Sequence, residues 1–268
     1  LASRDAEAAL ARVAAILALP GEPEMAAIAA DAVELRGRIH WHEGDLAAAA
    51  ADFVELRARA RQLGDAARSA LGATWLADLA LLEGATAQAI ALHEEARADL
   101  HAAGDSRGEA AALARLATLY AELKRWNAAE QAFAEAATAA TQLHDERLLA
   151  TIELARAGMA LDRENVERAH ASADRAIDLA RKLDDASLVA RALVLNGAVA
   201  RELGDRDRAA RLLEQGERLA EDAGDLLLVA EAAREHADLL ARDDRHAEAL
   251  QALNRAYRAA TQLRARDV

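Results

Sequence analysis

Few residues of this chain have types and spacings that could do chemistry. His40 and His42 flank Trp41, and two imidazoles so close in sequence suggest a metal. Residues two apart on a helix point in very different directions, however, so this pair cannot share a tetrahedral ion unaided, and no metal site is expected. The acidic pairs Asp184–Asp185 and Asp243–Asp244 fall where turns between helices are expected, and helix capping accounts for them. There is no phosphate-cradling glycine loop, no GxSxG, no HExxH and no run of EF-hand ligands. Neither a catalytic activity nor a cofactor is expected. What remains is recognition. Trp41 and Trp75 are candidate anchors, because large aromatics dominate binding hot spots, although both could instead pack between adjacent helices. Arg115, Arg191 and Arg234 could pair with an acidic ligand, or bridge to carboxylates in the neighbouring segment.

The elements that must position these residues follow from a periodicity. Alanine recurs every forty residues at Ala9, Ala49, Ala89, Ala129, Ala169, Ala209 and Ala249. Asp65, Asp105, Asp145, Asp185 and Asp225 form a second column, and Gly37, Ala77, Ala117, Ala157, Gly197 and Ala237, always small, a third. Gly44, Gly84 and Gly204 mark a fourth, where Lys124, Glu164 and Asp244 replace glycine. A fixed period of this length is the signature of an array whose units cannot bury their apolar faces alone.

Residues 105 to 142 show the unit. Asp105 and Ser106 offer oxygens for a helix N-cap, and Leu113, Leu116, Tyr120 and Leu123 then form an apolar stripe at three- and four-residue spacing, helix A. A second stripe runs from Trp126 through Ala129, Phe133 and Ala136 to Ala140 and Leu143, helix B. The invariably small Ala117 and Ala129 should let the two backbones approach while larger neighbours fill the space beside them. Gly64, Gly104 and Gly224 precede an N-cap aspartate, where a left-handed residue can end one helix before the next starts. His144 and Asp184 occupy the same column, so those two junctions are expected to be less regular. His93, in the column of Phe53, Phe133, Leu213 and Leu253, reads as a core or rim histidine.

The period divides residues 1–268 into a single array: an orphan helix at 3–19, then units at about 24–63, 64–103, 104–143, 144–183, 184–223 and 224–264. The orphan helix aligns with helix B, and Pro20, Gly21 and Pro23 should break the chain after it. Sparse β-branched and aromatic residues, with prolines confined to that one break, favour helix throughout.

The formal charge of −13 argues against nucleic acid as a partner, since phosphate binding needs clustered Lys and Arg. It disfavours an anionic membrane surface for the same reason. The absence of cysteine removes disulfides and thiolate metal sites and fits a cytoplasmic protein. No run of eighteen apolar residues and no basic-then-apolar leader occurs, so neither a membrane span nor a signal peptide is expected in this stretch. Leu1 in place of a methionine, and a last helix without a stop signal before Val268, point to a segment of a longer protein.

The assembled columns resemble the tetratricopeptide repeat. That family has a small residue midway through helix A, a glycine-containing turn, a large residue opening helix B, an alanine three residues later and an aromatic four beyond. Here the third unit reads Ala117, Tyr120, Trp126, Ala129, Phe133, and the first Gly37, Gly44, Leu46, Ala49, Phe53. The common unit is about 34 residues; the forty-residue variety is similar to those of bacterial regulatory proteins and of Pins-type spindle-orientation scaffolds. The resemblance implies an all-α solenoid, a right-handed superhelix of antiparallel helix pairs, whose A helices line an inner wall that holds a protein or peptide. Carried onto this sequence, the wall positions are Glu34, Arg38, Trp41 and His42, then Thr74, Trp75 and Asp78, then Arg115, Thr118 and Glu122, then Leu154, Gly158 and Leu161, then Arg191, Val194, Leu195 and Arg201, and last Arg234, Glu235 and Asp238. Of these, Arg38, Trp41, Trp75, Asp78, Arg115, Thr118, Glu122, Arg191 and Arg234 are the expected peptide-binding residues. The lysine and asparagine set that clamps a terminal carboxylate in some relatives is not found at these positions. The expected function is a non-enzymatic scaffold; the alternative is the sensory segment of a larger bacterial signalling protein, a transcription regulator or diguanylate cyclase. Weak self-association is expected through the end helices, where Ala9, Val13, Ile16 and Leu17 should lack a partner and Leu253, Ala256 and Ala260 should be exposed.

Overall fold

The computed structural model describes residues 2–18 and 25–266; Pro20, Gly21 and Pro23 lie outside them. The described residues form helices and turns without strand. The helices are α1 (Ala2–Leu17), α2 (Ala26–His42), α3 (Leu46–Leu63), α4 (Ala66–Leu82), α5 (Thr86–Ala102), α6 (Ser106–Glu122), α7 (Trp126–Gln142), α8 (Glu146–Asp162), α9 (Val166–Lys182), α10 (Ala186–Glu202), α11 (Arg206–Ala223), α12 (Leu226–Arg242) and α13 (His246–Arg266). The even-numbered helices from α2 are the A helices of the sequence units, and the odd-numbered ones are the B helices.

The turns carry a finer interval than the forty-residue columns. One residue of positive φ recurs every twenty positions: Gly44, Gly64, Gly84, Gly104, Lys124, His144, Glu164, Asp184, Gly204, Gly224 and Asp244. Turns within a pair and between pairs therefore use one device, a left-handed residue that ends a helix. The junctions at His144 and Asp184 adopt this conformation too, with φ 53° and 51°, so the expected irregularity is not a change of conformation. A side chain in this region costs about 1–2 kcal/mol, and the closing hydrogen bond offsets it. Asp145 N donates to Ala140 O at 2.9 Å, as Asp65 N does to Ala60 O. At Asp184 the closure is looser, with Asp185 N at 3.5 Å from Ala180 O.

The next position caps the following helix. Asp45, Asp65, Asp105, Asp145, Asn165, Asp185, Asp205 and Asp225 each accept the backbone N–H three residues ahead. At Asp105 the donor is Gly108, and Ser106 is simply the first helical residue. Asp243 and Asp244 do not cap: Asp244 is the left-handed residue and Asp243 meets Arg206 at 2.6 Å. Ala85 and Arg125 stand at the same position without a capping side chain. Replacing either by Asp should stabilise the protein by about 1 kcal/mol, read as a raised midpoint in urea unfolding. No gain at either position would mean that the first-turn amides of α5 and α7 are already satisfied.

Residues up to Tyr120 and those from Ala121 form two compact units. In the first, α1 packs on α2, α2 on α3, α3 on α4 and α4 on α5. Its core joins Ala30, Val33, Ala49, Phe53, Leu56 and Leu79, with Leu17 of α1 packed against them. Val13 is only 1% exposed, and Ile16 and Leu17 are half-buried. The face of α1 that was expected to be bare is thus the face that covers α2. In the second unit, α7 to α13 pack in sequence and α10 also touches α8 and α12. Val194, Leu213, Leu228, Val229 and Leu239 are buried in its core. Leu253 and Ala260 of α13 are exposed and Ala256 half-buried, while Leu250 and Tyr257 extend the exposed apolar face.

The small-residue column sets how closely helices approach. A Cβ on Gly37 would stand 2.7 Å from Phe53 Cε1, and one on Gly197 2.6 Å from Leu213 Cγ. Where the facing residue is small, as at Ala173 opposite Ala157, alanine is accommodated. His93, in the Phe53 column, is 5% exposed, and burial together with the nearby Arg115 holds its imidazole below the usual histidine range. It is a neutral core residue.

Candidate functional site

The A helices of each unit bring the wall positions together in different ways. In the first unit, Trp41 of α2 meets Trp75 of α4 edge to face at 5.3 Å, and Trp75 stacks on Phe53 of α3 at the same distance, 6° from parallel. Both tryptophans are half-buried. They are cemented to each other and to the core rather than presented as free anchors. One turn beyond Trp75, Asp78 lies between burial, which pushes its carboxyl above the usual range, and Arg115 of α6, which opposes that shift. Arg115 is exposed. Thr118 donates its hydroxyl hydrogen to Ala114 O within its own helix, and Arg38 is exposed with Glu34 at 3.7 Å. His40 Nδ1 donates to Asp52 Oδ2 at 2.8 Å and His42 is exposed, so the two histidines diverge as the helix requires.

In the second unit, Glu122 is exposed on α6. Arg191 reaches Asp225 at 3.4 Å, and Arg234 contacts Glu235 and Asp238. These two arginines bridge to carboxylates instead of standing free. Beside them α8, α10 and α12 enclose a cleft of about 410 Å³. Gly158 and Leu161 of α8, with Val194, Leu195 and Ala198 of α10, form its apolar floor. Asp162, Glu164, Glu202, Glu231 and Glu235 line it with a single guanidinium, Arg201. Arg201 is held by Glu235 at 2.6 Å and by Glu202 at 3.2 Å.

The cleft opens where one column has its two smallest residues, Gly158 and Ala198. At positions 38, 78, 118, 158, 198 and 238 the chain has Arg38, Asp78, Thr118, Gly158, Ala198 and Asp238. A Cβ on Gly158 would meet nothing within 4 Å. Glycine inside a helix costs about 0.5–1 kcal/mol relative to alanine. At Gly37, Gly72, Gly197 and Gly216 a neighbouring side chain already occupies the space a Cβ would need, but at Gly158 packing gives no such reason. Glu231 was not among the sequence candidates, yet it stands forty residues after Arg191. Extending that column by one unit would have found it.

A second cleft of about 280 Å³, between α7, α8 and α9, contains Arg156, Arg168 and Arg175. Each is already paired: Arg168 with Glu130 at 2.8 Å, and Arg156 and Arg175 with Glu153 at 3.4 and 3.0 Å. No group of histidines and carboxylates among the described residues could hold a metal ion, and no described helix is long and apolar enough to cross a membrane.

No protein-family model matches the sequence, and no curated protein matches it. Solved structures do. Aspartyl phosphate phosphatase F from Bacillus subtilis is 13% identical with a TM-score of 0.68, over 89% of this chain and 72% of that one. A Rap protein complexed with competence and sporulation factor is 17% identical with a TM-score of 0.64, over 97% and 77%. A signal-transduction ATPase with numerous domains and a tetratricopeptide repeat sensor, from Pyrococcus horikoshii, is 17% identical with a TM-score of 0.64, over 97% of this chain and 40% of that one. The fold class is the all-α, tetratricopeptide-type helical solenoid.

Proposed function

We propose that the chain is a non-enzymatic scaffold that holds a protein or peptide segment along its A helices. The observation that carries this reading is the open cleft across α8, α10 and α12, floored by apolar side chains and by a helical glycine that packing does not require. In the first unit, Trp41, Trp75, Asp78 and Arg115 form a patch of their own, whose exposed edges and charges the same reading assigns to ligand contact. The Rap protein complexed with competence and sporulation factor shares this fold and supports the reading. The repeat sensor of the ATPase supports a second one, in which the forty-residue units belong to the sensory segment of a larger signalling protein.

Peptides selected from a random display library on this chain test the scaffold reading. Leu195→Arg, on the cleft floor, should weaken the selected peptides more than tenfold, while Glu214→Arg, on the exposed side of α11, should leave their affinity unchanged. Peptides that lose affinity to the second variant and keep it for the first would move binding to the B helices and sink the proposal.

A further inference from the structure

The chemistry of the α8–α10–α12 cleft selects among ligands. Its floor of Leu161, Leu195 and Ala198 is apolar and runs past the empty position of Gly158. Its rim is acidic, and the one cation lining it, Arg201, is already engaged by three carboxylates, those of Glu202, Glu235 and Asp238. Glu231, on the exposed side of α12, makes no ion pair or hydrogen bond to a described residue; Arg191 and Arg234 act on it only at longer range. Partial desolvation and the neighbouring Glu235 hold its carboxyl above the usual range.

An acidic segment would add to this concentration of negative charge, and a wholly apolar one would cover carboxylates without pairing them, which is costly. A side chain with an aliphatic stem and a cationic end meets both demands, since arginine and lysine bury their stems on apolar surface and keep the charge at its edge. We propose that the cleft binds a basic, partly apolar peptide, with one arginine or lysine stem laid over Leu161, Leu195 and Ala198 in the space left by Gly158 and its charge at Glu231. This rests on the scaffold reading above and names its ligand class.

The test is fluorescence anisotropy with three labelled octamers, alternating leucine with arginine, with citrulline and with glutamate. The arginine octamer should bind, the citrulline octamer about tenfold more weakly, and the glutamate octamer not at all. Glu231→Gln should lower affinity for the arginine octamer about tenfold and abolish its advantage over citrulline. Gly158→Leu should fill the cleft and remove binding without lowering the melting temperature, because the new side chain enters open space. Equal binding of the arginine and citrulline octamers, or an unchanged affinity in either variant, would overturn the inference, as would no binding by the arginine octamer. Library peptides that lack basic residues but still depend on Leu195 would overturn the charge assignment alone and leave the scaffold standing.

Discussion

Phe53→Ala is expected to destabilise the first unit by about 3–5 kcal/mol, the range for emptying a buried aromatic site. Phe53 is fully buried, is stacked on Trp75, and packs so close to Gly37 that a Cβ there would be 2.7 Å away. Truncation therefore opens a cavity and also removes the surface on which Trp75, and through it Trp41, is ordered. The converse change, Gly37→Ala, should cost about 1–3 kcal/mol by overpacking. The two sites should couple: with Phe53→Leu already in place, Gly37→Ala should cost measurably less, because the methyl enters the space the ring edge vacated. Urea unfolding followed by tryptophan fluorescence checks both, since Trp41 and Trp75 sit in the perturbed cluster. A loss below 1 kcal/mol for Phe53→Ala, or strictly additive effects at Gly37 and Phe53, would show that this core relaxes without depending on the close approach. In a repeat array the damage should stay near its origin, because stability is carried by neighbouring interfaces.

The helix pairs were legible because small residues at forty-residue spacing inside helical stripes mark a recurring close contact, and the structure buries both small columns from Gly37 and Ala49 onward. The turns were half legible. Glycine and aspartate announced left-handed residues and caps where they occurred. The columns placed Lys124, His144, Glu164, Asp184 and Asp244 beside those glycines but did not reveal that they keep the same backbone conformation, which a hydrogen-bonded turn can impose on a residue that does not favour it. The site was harder to read. Charge and aromaticity drew attention to Trp41, Trp75, Arg191 and Arg234, whereas the structure shows the tryptophans stacked into a cluster and those arginines bridged to carboxylates. A cleft is made by what is missing, here the side chain of Gly158, and a lone glycine in a helical pattern does not reveal whether its vacancy is filled by a neighbour or left open. That distinction requires coordinates: at Gly197, in the small-residue column, Leu213 fills the space, whereas at Gly158, in the neighbouring column, nothing does.

Acid should loosen the second unit through Glu217. This residue of α11 is 7% exposed. Arg255 of α13 donates to it at 2.7 and 3.3 Å, and the His236 imidazole of α12 lies at 3.9 Å. Burial alone would raise the Glu217 carboxyl, but its contacts with His236 and Arg255 outweigh that and hold it below the usual glutamate range. The folded state thus binds the proton less readily than the unfolded chain. Its contribution to stability is complete above the unfolded glutamate pKa of about 4.3 and is lost as pH falls through the lower folded value. Glu217→Gln keeps the shape and removes the charge, so at pH 7 it should cost about 1.5–3 kcal/mol, the range for hydrogen bonds to a charged group. Because the glutamine cannot titrate, the gap between variant and wild type should narrow steadily below about pH 4. Urea unfolding across that range measures the gap, and amide exchange in α12 and α13 localises it, since Glu217 ties both helices to α11. A constant gap at every pH would mean that Glu217 contributes packing rather than charge. No gap at pH 7 would mean that Arg255, 41% exposed at its side chain, loses as little in water as it gains from the pair.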